Sequence, residues 1–175
     1  MEHSMTGKQP KIISAGPRNR QFITSAVAVQ AIIINHVEHV LLLNSPTRNQ
    51  GWQVVSGALE AKETLLGATL REIYEELGSE LKVPPLGLVH AQTFHYDKQV
   101  QYMLSSHYLF EYQGGKILPS DDMVGSQFQW WSLSDLEKGE LDFHASTNIS
   151  LLKRAIQLFR LWVIDDDFPL QEELQ

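Results

Sequence analysis

The spacing of hydrophobic positions changes several times along this chain. From 22 to 34 and from 39 to 43, aliphatic and β-branched residues run almost unbroken. The polar "NHVEH" splits them, which predicts a hairpin-like pair of strands. "WQVV" at 52–55 predicts a further short strand after the loop "NSPTRNQG". Between Glu63 and Leu77 the period becomes helical. Leu66, Leu70, Ile73 and Leu77 fall at i, i+4, i+7 and i+11, an apolar stripe about 60° wide. Gly78, tolerant of left-handed geometry, supplies the stop. "LGLVHAQTFHY" and "VQYMLSSHYLFEY" flank "DKQ" and predict an antiparallel pair, and "FQWWSL" predicts another strand. "SDLEKG" predicts a short helix opened by its serine, and "STNISLLKRAIQLFRLWV" a longer terminal one. Strands, helix, strands and helices in this order predict an α/β (α+β) fold, with helices on both sides of a mixed β-sheet.

Composition narrows the picture. The chain has 175 residues, 43% of them hydrophobic, enough for one domain with a sizeable core. The basic segment 1–20 (Lys8, Lys11, Arg18 and Arg20 against Glu2) is expected to be a flexible arm, 21–164 the domain, and the acidic segment 165–175 a solvated tail. No apolar run reaches membrane-spanning length and the N-terminus lacks a secretory core, so the expected location is cytoplasmic. A net charge of −7 makes nucleic acid an unsuitable partner. With no cysteine, metal chemistry falls to oxygen ligands and histidine.

The helical segment carries Glu72, Glu75 and Glu76 in an arc of about 100°, read as lying away from the apolar stripe. Glu72 meets like charges at i+3 and i+4, and the last helical turn favours cations over acids. Two readings stand. Arg71 could relieve a solvated acidic face by pairing with Glu75 at i+4, or a divalent cation could turn the repulsion into shared coordination. Small Ala68 and Ser79 on that side favour an approaching ligand. Hard oxygen donors indicate Mg²⁺, with Mn²⁺ a substitute.

"GALEAKETLLGATLREIYEELG" resembles the signature box of the Nudix hydrolases, with Gly57, Glu63, Arg71, Glu72, Ile73, Glu75, Glu76 and Gly78 in register. Ser79 departs from the final aliphatic position. The resemblance implies a Nudix-type α/β/α sandwich and Mg²⁺-dependent hydrolysis of a nucleoside diphosphate linked to another moiety. It implies metal ligation by Glu72, Glu75, Glu76 and the Ser56 carbonyl, and catalysis by Glu72 and Glu75, Glu72 being the candidate base. It also implies structural roles for Gly57, Gly78 and a Glu63–Arg71 pair. Asp121 or Asp122 would stand in for the further acid that many relatives recruit from a loop.

"GWQVVSGALE" is similar to the corresponding segment of dihydroneopterin triphosphate and dATP pyrophosphohydrolases, which implies a nucleoside-triphosphate-like substrate cut to a monophosphate and pyrophosphate. ADP-ribose, a dinucleoside polyphosphate or a nucleotide sugar is the alternative substrate, and a non-catalytic nucleotide sensor the alternative function. Arg48 is expected to meet the phosphates. Trp52 either stacks on a base or packs, and Trp130 and Trp131 are expected on opposite faces of their strand. His36 and His39 read as solvated turn histidines, and His90, His95 and His107 have no assigned role. The apolar terminal helix leaves a surface for a homodimer.

Overall fold

The computed structural model describes residues 12–15, 17–23, 25–46, 51–94, 102–120 and 123–164. Among them, β1 (Ile12–Ala15) and β2 (Arg20–Ile23) form a two-stranded antiparallel sheet by themselves. This pair straddles the boundary at 20 expected between arm and domain. The expected acidic tail, 165–175, lies outside the described residues.

The remaining strands are β3 (Ala26–Asn35), β4 (Val40–Asn44), β5 (Val55–Ala58), β6 (Pro85–Phe94), β7 (Met103–Tyr112) and β8 (Gln127–Trp131). They form one mixed six-stranded sheet in the order β6-β7-β3-β4-β8, with β5 also on β3. β3 runs parallel to β7 along its whole length. It has helices over both faces, which is why its sequence reads as a continuous apolar run. Beside β3, β4 pairs only at Ile34 and Val40. The two strands then part, and the segment 53–58 enters the fork, Gln53 bonding Leu43 of β4 while β5 pairs with Ala28–Ala31 of β3. The strand expected at 52–55 therefore begins as isolated bridges and continues to Ala58.

The pleat divides the core in two. Ile32, Ile34, Leu42, Val54 and Leu109 pack with Leu152, Ile156 and Phe159 of α3 (Ile149–Ile164). Ala31, Ile33, Leu43, Val55 and Phe110 pack with Ile73 and Leu77 of α1 (Leu65–Leu77). The α/β/α layering agrees with expectation. At the end of α3, Leu161 and Ile164 are exposed, on the helix expected to leave a dimer surface. No helix among the described residues is long and apolar enough to cross a membrane.

Local chemistry sets the helix ends. Helix α1 starts two residues later than the periodicity suggests, because the Thr64 side chain accepts from the Gly67 N–H and caps it. Glu63 is thereby left in the preceding loop. Gly78 ends the helix at φ 94°, a conformation that favours glycine. The short α2 (Leu133–Glu137) is capped by Ser132, two residues before the serine that opens "SDLEKG".

Candidate active site

The candidate site is built where α1 crosses β5. Alternation along an antiparallel pair turns every second residue's N–H and C=O toward the partner strand. The Leu59 N–H donates to the Val27 carbonyl at 2.9 Å, so Ala58 and, in the same phase, Ser56 direct their main-chain groups away from β3. The Ala58 N–H donates to Glu72 Oε1 at 3.2 Å, and its carbonyl accepts from Arg71 Nη2 at 2.9 Å. The Ser56 carbonyl points off the same edge. Between them, Gly57 lies against the Glu72 carboxyl so closely that a Cβ would fall 1.8 Å from Cδ. Only glycine permits this approach, which accounts physically for the first residue of the box.

Arg71 ties loop and helix together. Its Nε donates to Glu63 Oε1 at 2.7 Å and its Nη2 to Glu63 Oε2 at 3.2 Å, while Nη1 donates to Glu72 Oε1 at 2.9 Å and Glu75 Oε2 at 2.8 Å. Glu63 also accepts from the Glu60 N–H at 2.9 Å. The hydrogen bond from Arg71 is the main cause of a Glu63 pKa below its ordinary value. Glu63 is likewise the main cause of an Arg71 pKa held above its ordinary value, with Glu72 and Glu75 adding to it. Both sequence readings of Arg71 are realised, since it pairs with Glu75 and braces Glu63. An ammonium cannot reproduce this fork. Arg71→Lys is expected to destabilise the fold by about 1–3 kcal/mol, a fall of several degrees in Tm read by thermal unfolding.

The NUDIX domain model matches residues 24–154. The chain belongs to the Nudix family. By that membership it is a hydrolase of phosphoanhydride bonds. No curated protein matches the chain. Among solved structures, an ADP-ribose pyrophosphatase from Streptococcus suis is similar at 19% identity and TM-score 0.62, over 78% of this chain and 93% of that one. The dihydroneopterin triphosphate pyrophosphohydrolase of E. coli is similar at 17% identity and TM-score 0.59, over 75% and 95%. A MutT protein from Methanosarcina mazei Go1 is similar at 17% identity and TM-score 0.62, over 78% and 96%. At these identities the likeness is one of fold.

Within the Nudix box the structure corrects two details. The three glutamates are not all opposite the apolar stripe: Glu76 is 2% exposed, because α1 lies over the β5 edge as well as the sheet face and so buries a wider arc than the stripe alone. Ala68 is fully buried, so its small size serves packing rather than ligand access. At the end of α1 the carbonyls of Glu75, Glu76 and Leu77 accept from Ser120 Oγ, the Ser120 N–H and the Leu118 N–H. Asp121 and Asp122, the candidates for a further acid, follow Ser120 and lie outside the described residues.

The donors fit a hard divalent cation in kind. Carboxylates cluster beside an outward main-chain carbonyl, and Gly57 keeps a cradle that any side chain would fill. Among the described residues, no three acidic or histidine side chains already converge as a cage, since Arg71 draws Glu72 and Glu75 to itself.

Of the expected substrate contacts, Arg48 lies outside the described residues. Trp52 shows its packing role: it meets Trp131 edge-on with ring centroids 5.2 Å apart, and its main chain bonds Asp142 and His144. It also walls a cavity of about 480 Å³ shared with Asn44, Gly51 and Asp142. Trp130 packs against Tyr112 at 5.0 Å on the opposite face, so both strand tryptophans flank core. His36 is exposed and His39 partly so, in the turn as expected.

One group of side chains had no role assigned from the sequence. His90 on β6, His107 on β7, Gln30 on β3 and Ser56 on β5 lie opposite one another in register, a polar row across four strands. His95 lies outside the described residues. His107 is fully buried, with its ring 5.5 Å from that of His90. Burial first, and His90 second, push its pKa from 6.5 to about 4. Between these values the unfolded chain binds the proton more strongly, so stability falls as pH drops. His107 is expected to remove about 3 kcal/mol across that window, and urea unfolding at pH 7 and pH 4 should show a smaller loss in His107→Phe.

Proposed function

We propose that this chain is a Mg²⁺-dependent pyrophosphohydrolase, with Mn²⁺ able to substitute, that cuts a nucleoside-triphosphate-like substrate of the dATP or dihydroneopterin triphosphate type to a monophosphate and pyrophosphate. The observation that carries this reading is one guanidinium shared by the three carboxylates of Glu63, Glu72 and Glu75. Such a group has a surplus of negative charge that a divalent cation would balance.

Glu72, Glu75, Glu76 and the Ser56 carbonyl are the proposed ligands. A bound Mg²⁺ would neutralise phosphate charge and acidify its water. The Glu72 side chain is 12% exposed and held by Ala58 and Arg71, which suits a base that must meet one proton at one place. The Glu75 side chain is 47% exposed and suits a position at the rim, next to the phosphates. Arg71 restrains both, and Arg48 is the proposed further phosphate contact.

A panel of dATP, dihydroneopterin triphosphate, ADP-ribose and a dinucleoside polyphosphate, each with Mg²⁺, tests the reading by product identity. Release of pyrophosphate from the triphosphates supports it. AMP and ribose 5-phosphate from ADP-ribose, with the triphosphates left intact, would replace it. Mg²⁺ at ten times its Kd is expected to add about 1.4 kcal/mol of stability, a rise of a few degrees in Tm. Scanning calorimetry with and without millimolar MgCl₂ measures this, and Glu76→Gln should abolish it.

A further inference from the structure

The last four carbonyls of a helix have no partner within it, and in α1 they belong to Tyr74, Glu75, Glu76 and Leu77. Gly78 serves only the first, its N–H donating to the Tyr74 carbonyl at 3.0 Å. Because Gly78 leaves at ψ 151°, the chain moves away extended, without the left-handed closing turn that would serve further carbonyls. No basic side chain stands in the last turn. Nothing on the helix itself therefore offsets the negative end of its dipole beside two glutamates.

The missing donors come from the segment between β7 and β8. The Leu118 N–H donates to the Leu77 carbonyl at 2.8 Å, the Ser120 N–H to the Glu76 carbonyl at 3.1 Å, and the Ser120 Oγ to the Glu75 carbonyl. One residue thus holds two consecutive carbonyls, those of Glu75 and Glu76. The segment is itself anchored on either side of Ser120. Ile117 and Met123 are buried in the cluster that α1 covers, and the Met123 N–H donates to the Ser120 carbonyl at 2.9 Å. Ser120 is fixed to the same core as the helix. Helix ends are the first parts to fray, and a donor fixed in this way keeps the turn closed. The two hydrogens it donates also bring positive partial charge to the place where the carboxylates crowd.

We propose that Ser120 is a positioning residue: by holding the Glu75 and Glu76 carbonyls it keeps the last turn of α1 closed and both carboxylates in one orientation toward a divalent cation. This rests on the reading of Glu75 and Glu76 as cation ligands, and adds a residue outside the box on which their affinity depends. The hydroxyl is the separable part. Ser120→Ala removes the bond to Glu75 and leaves both main-chain bonds of the segment, so the fold persists while the turn loosens. Outer partners that orient metal ligands are worth about 10–100-fold in affinity, and Ser120, acting through the main chain, belongs at the lower end. A serine with a structural role alone would move stability and leave affinity as it was.

The test reads binding without turnover. Mn²⁺ is titrated into the whole chain in the absence of nucleotide, with the free ion read by its paramagnetic resonance signal. Its Kd is expected to rise about tenfold in Ser120→Ala and to return close to the parental value in Ser120→Thr, which keeps the hydroxyl. Ser132→Ala, which removes the cap of α2, should lower the Tm by a comparable few degrees with Kd unchanged. In the metal-free protein, the Leu77 and Gly78 amides should exchange about fivefold faster in Ser120→Ala alone. An unchanged Kd in Ser120→Ala would overturn the positioning role and leave the cation reading in place. An equal rise in Ser132→Ala would overturn it too, since affinity would then follow overall stability. A parent chain that fails to bind Mn²⁺ at millimolar concentration would remove the cation reading and the role of Ser120 with it.

Discussion

Glu72→Gln should lower kcat by about 10²–10⁴-fold, the range for loss of a positioned general base, while the melting temperature stays within a few degrees. The amide keeps the shape of the carboxylate and an oxygen that can still accept from the Ala58 N–H and Arg71, whose bonds to Glu72 are 3.2 and 2.9 Å. What it loses is the charge and the capacity to take a proton. Steady-state turnover with Mg²⁺, alongside thermal unfolding, gives both halves of the comparison. A variant keeping more than about a tenth of the parental kcat would remove Glu72 from proton transfer.

Gly57→Ala is expected to reach a similar loss by displacement. Its added methyl would sit 1.8 Å from Cδ, 1.9 Å from Oε1 and 2.3 Å from Oε2 of Glu72, far inside van der Waals contact, so the carboxyl must move by more than an ångström. A shift of that size can lower kcat/KM about 100-fold, and the broken contacts with Ala58 and Arg71 should destabilise the fold by about 1–3 kcal/mol. A double-mutant cycle tests the cause. Gly57→Ala in a Glu72→Ala background should have a much smaller effect on stability, because the carboxyl it collides with is gone. Equal destabilisation in both backgrounds would place the strain elsewhere.

The layered fold and the helix of the box were legible because each is encoded locally, in apolar runs of the right length, a helical stripe and a terminal glycine. Gly57 and the Glu63–Arg71 pair were legible through the box. Three features were not. The insertion of β5 between β3 and β4 depends on two strands parting after a single paired position, and no segment alone records that. Glu76 was expected on an open face because the helical wheel knows the stripe but not the edge strand beside it. The row from His90 to Ser56 joins residues up to 51 positions apart in sequence, between Ser56 and His107, and exists only through register. A sign was nonetheless present: "SSHY" sets polar residues in the middle of an otherwise apolar strand, where packing alone would favour Val or Leu.

The outward edge of β5 has a consequence beyond chemistry. Ala58 sends its N–H and C=O to side chains of α1 instead of to another strand, so the helix of the box also acts as the guard rail of an open sheet margin. Unguarded margins recruit strands from other molecules. Changes that dislodge Arg71 or Glu72 from Ala58 should therefore increase self-association in concentrated solution, and a loss of yield on expression could precede any measurable loss of catalysis.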